Sequence, residues 1–516
     1  MAAMLPRARI LGTASLLNRS VRGLATGAAK HQAALASSIS GADGLAQPSS
    51  KSADTWTNVE PGSEFTVTRE TGFLPRHEPL AVLPSYFEKL EELLDEMPIH
   101  KGDGTHGLLH SGRFGERIER ELPLYDVDFV FDSRILAALY RDYAFLASAY
   151  LLEPCDIQFR LARNYGLARR ILPANIARPL QTIAARLRAQ PFLEHSSFTF
   201  YNYRRTDPPA ADAPASGDSI EPIRRFSGCD AERSYITGHV AAARFTDRMV
   251  QASLELLGGA RADDRGRFDR AMQRYAGAMR EVNGVLSRAL ANSGEYASFR
   301  TYLSGTKSQP MFSAGVIYES APYAGPHVSS ALPAQQHQFF GVAQSSNPIA
   351  SLSTHLFQLS QLSPQGALPC ADGIDHLRPQ NYRAFLTHIA AHSSTDRVQS
   401  YALRSPASSA HYVAALDQVL AYRFRQWANL RDSVHLHTLR ASPAFRNYLD
   451  VQTRHIRDIA ELVLRSRANT DCEMLAPAQR AATDAAAHRA EIVRRSLSRI
   501  LEDAEPAQLP TSMIAY

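Results

Sequence analysis

The chain has 516 residues, 45% hydrophobic and 21% charged, with a formal net charge of +5. That length buries one large core or two ordinary ones. So mild a charge, with no compact basic run interleaved with aromatics, excludes a nucleic-acid footprint. Four cysteines (Cys155, Cys229, Cys370 and Cys472) stand far apart with no CxxC pair, which excludes a disulfide framework or zinc ribbon and fits a reducing compartment.

Residues 1–41 carry Arg7, Arg9, Arg19, Arg22 and Lys30 and no acid before Asp43. A cationic, Ser- and Ala-rich, acid-poor start reads as a mitochondrial or plastid transit segment, with Arg22-Gly23-Leu24 before Ala25 as its cleavage site. The mitochondrial matrix, or the matrix face of the inner membrane, is the expected location. Residues 42–64 read as a linker. No uninterrupted apolar run reaches the roughly 20 residues that span a bilayer.

Residues 65–75 are extended, and 85–97 have helical spacing ended by Pro98. The pattern Ile135, Leu136, Leu139, Tyr143, Leu146 predicts a buried helix over 133–152. Residues 172–179 read as a turn leading into a helix near 180–189. Ser197 to Tyr203 alternates, as a strand or one helix face would. Residues 208–217 form a Pro/Ala/Asp loop, and 234–258 and 266–291 read as two long helices. The irregular stretch 310–348 is long enough to be a functional loop or cavity wall. Helices follow near 348–360, 379–392, 409–437, 444–467 and 476–503. The class is mainly α, with two helical layers around a large core. The expected division is a small helical domain (65–217), a large one (218–440) and a C-terminal helical extension (441–516).

No GxGxxG opens a helix, and P-loop, HExxH and GxSxG motifs are absent from the sequence. His435 and His437 stand two residues apart, and on a helix such residues point in different directions, so no metal site is assigned. Tyr422, Phe424 and Trp427 read as core aromatics.

Several motifs in order resemble the indoleamine 2,3-dioxygenase family: Gly72-Phe-Leu-Pro75, Phe145-Leu-Ala-Ser-Ala-Tyr150, Leu172-Pro-Ala-Asn-Ile-Ala-Arg-Pro179, Phe299-Arg-Thr-Tyr-Leu-Ser-Gly305 with Gly315-Val-Ile-Tyr-Glu319, Gly341-Val-Ala-Gln-Ser-Ser346 and Tyr382-Arg-Ala-Phe-Leu386. The resemblance implies a small N-terminal helical domain on a larger helical haem domain. It also implies haem b, and opening of the indole ring of tryptophan to N-formylkynurenine. By that resemblance Arg300 holds the substrate carboxylate. Glu295 stands where the family has a pocket phenylalanine, Gly238 replaces a small hydroxyl residue and Ser234 an aromatic.

The segment Leu420-Ala-Tyr-Arg-Phe-Arg-Gln-Trp-Ala428 resembles the helix that carries the haem-ligating histidine three residues after an arginine. Here Arg425 is followed by Ala428, whose methyl cannot bind iron. His435 and His455 are the alternative ligands; His435 lies two turns on, about 10 Å along the axis. The expected function is therefore a catalytically degenerate relative without haem, an accessory or scaffold subunit of a large mitochondrial assembly such as ATP synthase or a respiratory complex. The alternatives are an active haem dioxygenase and an enzyme of altered chemistry on this fold. Glu295, Tyr296 and Trp427 are candidate fillers of the haem space. Arg489, Arg494, Arg495 and Arg499 are candidates for docking to a protein partner or an anionic lipid surface.

Overall fold

The structure, a computed structural model, describes Trp56 and residues 64–206, 219–290, 297–307, 309–312, 315–319, 336–339, 341–342, 347–362, 378–395, 397–433 and 443–502. The transit segment, most of the linker, the 208–217 loop, Glu295, Tyr296, Cys370, His435 and His437 lie outside the described residues. Those described all belong to one compact unit, Ala53–Tyr516.

The structure is mostly helical. Its helices of two turns or more are α1 (Glu88–Asp95), α2 (Phe114–Glu121), α3 (Ser133–Ala162), α4 (Ala174–Leu187), α5 (Asp230–Ala243), α6 (Thr246–Arg261), α7 (Arg265–Ala289), α8 (Pro348–Leu356), α9 (Gln380–Thr395), α10 (Pro406–Ser433), α11 (Pro443–Ala468) and α12 (Pro477–Glu502). Short strands β1 (Ile171–Leu172), β2 (Tyr203–Arg205), β3 (Ile220–Pro222), β4 (Val316–Tyr318) and β5 (Gln336–His337) stitch the loops. β4 lies parallel to β1 and antiparallel to β5, while β2 pairs with β3.

α3 is the spine of the N-terminal part. Asp132 caps it, accepting from the backbone N–H groups of Arg134 (2.8 Å) and Ile135 (3.1 Å) and so satisfying two of the donors a helix start leaves open. The sequence predicts an end at Leu152, but the helix runs ten residues further, through Pro154. Proline there removes the donor for the Tyr150 carbonyl. The Arg169 guanidinium replaces it, and the Arg169 N–H donates to the Leu151 carbonyl at 3.0 Å. The helix is long and apolar enough to cross a membrane, yet it lies almost wholly within the protein as core.

Three other expectations are corrected. Residues 174–179 are the first turns of α4 and not a turn before it, because Pro173 takes the N-cap position, where a missing N–H is harmless. Residues 195–198 form one helical turn capped by the Glu194 carboxylate, and the strand begins only at Tyr203. The stretch 234–258 is not one helix: α5 ends at Ala243 and α6 starts at Thr246. The lead-in segment packs against this break. Gly72, at φ +60°, sits so close to Thr246 and Asp247 that a Cβ would overlap them, and Phe73 N–H donates to Thr246 Oγ1 at 3.0 Å.

In the C-terminal part α10 is central, packed against α7 on one flank and against α11 and α12 on another. α12 is pinned to it by Arg489, which grips Asp417 with two hydrogen bonds of 3.0 and 2.7 Å.

Candidate functional site

The motifs scattered along the sequence meet in space. The Ser148 hydroxyl of α3 donates to the Tyr302 carbonyl, joining the 145–150 and 299–305 motifs. β1 and β4 join the 172–179 and 315–319 motifs, with Ile171 opposite Ile317. The Val342 N–H donates to the Leu303 carbonyl at 2.9 Å, and the Tyr382 hydroxyl donates to the Phe73 carbonyl at 2.5 Å. One site region emerges, built on α3, α5 and the turn before Arg300.

Its interior is an aromatic layer. Phe226 stacks between Phe145 (4.6 Å between centroids) and Tyr302 (4.8 Å). Phe198 lies 5.9 Å from Tyr235 and 6.4 Å from Phe299, the neighbour of Arg300. Arg300 is half-buried at the end of its helical turn and engaged with its surroundings. At Gly238 a Cβ would stand 2.4 Å from the Ala289 Cβ, so α5 and α7 touch there and a hydroxymethyl group would not fit. Ser234 is half-buried.

Two histidines that the sequence reading passed over flank this layer. His239 bonds the Tyr235 carbonyl through Nδ1 at 2.7 Å, and burial pushes its pKa down to about 4. His195, 5.3 Å away, is lowered by burial and by His239, and its Nε2 has no partner. Both are neutral imidazoles at neutral pH. The only sequence signal was His239 four residues after Tyr235, a common helical spacing. The approach of His195 is purely tertiary.

On α10 the Ala428 methyl is fully buried. Trp427 turns to α11 and donates to Thr453 Oγ1 at 2.9 Å, so it fills the α10–α11 seam. Arg425 donates to Asn283 Oδ1 of α7 at 2.7 Å, and its Nε and Nη2 have no partner. Arg423 donates to the Ala350 carbonyl at 2.9 Å. His455 of α11 is fully buried with both ring nitrogens unpartnered, and burial, then Arg423, push its pKa down to about 3. Positions 423 and 428 are about 140° apart round the helix, so Arg423, whose charge reaches His455, and Ala428 lie on different sides of α10. Among the described residues no group of three His, Cys, Asp or Glu side chains is arranged to hold a metal. Of the C-terminal arginines, Arg489 pairs with Asp417, Arg494 and Arg495 share Glu491, and Arg499 is exposed.

Residues 62–428 match the family described as indoleamine 2,3-dioxygenase. The chain belongs to the indoleamine 2,3-dioxygenase family. It is 22% identical over 262 residues to indoleamine 2,3-dioxygenase 2 of Mus musculus, covering 49% of this chain and 58% of that protein. It is 22% identical over 269 residues to the Homo sapiens indoleamine 2,3-dioxygenase 2, with the same two shares. It is 24% identical over 300 residues to indoleamine 2,3-dioxygenase acdA of Aspergillus candidus, covering 56% of this chain and 66% of that one. The chain thus spans less than two thirds of the length of these relatives.

The family resemblance implies haem and puts its ligand at position 428, and the residue at that position does not fit such a group. Iron in such a site needs an imidazole or another lone-pair donor, and position 428 supplies a buried methyl.

Proposed function

We propose that this protein keeps the indoleamine 2,3-dioxygenase fold without its haem chemistry and serves as a non-catalytic accessory subunit of a larger mitochondrial assembly. The observation that carries the proposal is that Ala428, to which the resemblance assigns the ligand position, is a buried methyl. An empty haem cavity would cost several kcal/mol, because its lining loses packing partners. The aromatic layer of Phe145, Phe198, Phe226 and Tyr302 supports a filled interior. A docking role is supported by exposed aromatics: Tyr86 (49% exposed) and Phe129 (52%), whose rings lie 5.3 Å apart, and Phe131 (83%) two residues further along the chain. Exposed clusters of large aromatics mark protein interaction sites. The acid-free cationic segment 1–41 supports the mitochondrial location.

The experiment is absorption spectroscopy of the purified chain after haem titration. The expected result is no stoichiometric Soret band and co-migration of the protein with a large mitochondrial particle. Stoichiometric haem uptake sinks the proposal.

The second reading is an active haem dioxygenase that opens the indole ring of tryptophan. Arg300 and the buried, unpartnered imidazole of His455 favour it. On that reading a Soret band is present and is lost in His455→Ala.

A further inference from the structure

A cleft of about 330 Å³ opens between α1, the 98–102 loop, β2, β3 and the first turn of α5. It lies outside the region where the family motifs meet. That volume falls within the range of small-molecule sites, roughly 300–1,000 Å³. Five cationic and three acidic side chains line it, and the acids are already committed. Glu91 and Asp95 hold the buried Arg224 at 2.6 and 3.0 Å. Glu221 faces Arg204 at 3.5 Å. Lys101 reaches Asp103, outside the lining, at 3.8 Å.

Arg225 and Arg233 remain. Each is half-buried, and among the described residues neither has a carboxylate partner. Arg225 Nη2 points to the loop side of the cleft, where a Cβ on Gly102 would stand 3.7 Å from it. Val82, Pro222 and Ile223 give the same cleft an apolar wall. Two unpaired guanidinium forks in a confined space match the oxygens of a phosphate group, and the wall suits an apolar or planar body attached to it.

We propose that this cleft binds a small phosphate monoester, with Arg225 and Arg233 holding the phosphate and the Val82–Ile223 wall holding the organic part. The site touches the motif region through α5 and through Arg224, which bonds Asp142 of α3, but Arg225 and Arg233 are not among the residues of the haem question.

Titration calorimetry of the full chain with phenyl phosphate, inorganic phosphate, benzoate and phenol tests it. Phenyl phosphate is expected to bind best, inorganic phosphate and benzoate more weakly, and phenol not at all. Arg225→Gln and Arg233→Gln are each expected to weaken phenyl phosphate by about tenfold or more, with unchanged melting curves because neither side chain holds an ion pair in the fold. Arg225→Lys, which keeps the charge but loses the fork, is expected to fall between. The proposal is overturned if phenyl phosphate shows no binding, if phenol binds as tightly, or if the glutamine variants bind unchanged. Benzoate binding better than phenyl phosphate overturns the assignment to a phosphate.

Discussion

Around α3, buried charge is completed by the fold itself. Asp142 is fully buried and takes two hydrogen bonds from Arg141 (2.7 and 3.1 Å) and two from Arg224 (3.0 and 3.1 Å). Burial would raise its carboxyl, but the two guanidiniums more than offset that and hold it below the usual carboxylate range. Glu153 accepts from the Phe114 and Gly115 N–H groups, and Glu232 from those of Phe226, Ser227 and Gly228. Around α10, Asp417 is matched by Arg489, but the buried Arg423, Arg425 and His455 have no carboxylate partner among the described residues. Neutral oxygens of Ala350 and Asn283 hold the two arginines, and burial drives Arg425 down to about 10. The first region is an electrostatic lock. The second holds two desolvated arginines beside a neutral imidazole, tolerated because helices on several sides supply packing.

The largest expected effect breaks the lock. Asp142→Ala strips the buried Arg141 of its carboxylate and leaves Arg224 only Glu91 and Asp95, and loss of one partner of a buried ion pair costs about 3–5 kcal/mol. Urea denaturation at neutral pH measures it. A loss below about 1 kcal/mol would show that the α3 network is no stronger than a surface pair.

Ala428→His probes the other region at the family's own position. Adding an imidazole to a packed seam costs about 1–3 kcal/mol through displaced neighbours, and the variant is expected to melt earlier without gaining a Soret band. If it melts like the parent and takes up haem, the seat has persisted and only its ligand was lost.

These two sites differ in how far the sequence disclosed them. The motifs that meet around α3 were legible because each is a local run of sequence, and the family they resemble matches over residues 62–428. The starts of α8, α10, α11 and α12 were legible within three residues because each begins at a proline, Pro348, Pro406, Pro443 and Pro477, a residue suited to the first helical position. The break between α5 and α6 was not legible. It is made by Gly72 and Phe73 packing on Thr246, a contact across the chain that no local pattern encodes. The same holds for His195 beside His239 and for the unmatched arginines of the cleft: charge pairing is a property of the assembled fold.

Acid should separate the regions next. His455 and His239 have pKa values of about 3 and about 4, below the roughly 6.5 of an unfolded histidine. Below that value the unfolded chain binds more protons, so stability falls as pH drops from about 6.5 and is flat above it. Each imidazole contributes a loss of about 2 kcal/mol between pH 7 and pH 5. His455→Leu is expected to reduce the difference between urea midpoints at the two pH values, and an unchanged difference would mean that His455 is protonated in the fold.

The smallest expected effect is the sharpest contrast with Asp142. Arg425→Met removes a buried cation, one hydrogen bond to Asn283 and two unpartnered nitrogens, and replaces them with an apolar chain of similar reach. The lost bond to a neutral acceptor is worth about 1–2 kcal/mol, and relief of the uncompensated charge acts in the opposite direction. The net change is expected to lie within about 1 kcal/mol of zero, by the same urea titration at neutral pH. A loss as large as that of Asp142→Ala would mean that Arg425 faces an anion in solution. The α10 region would then be a second lock whose other half the chain does not itself provide.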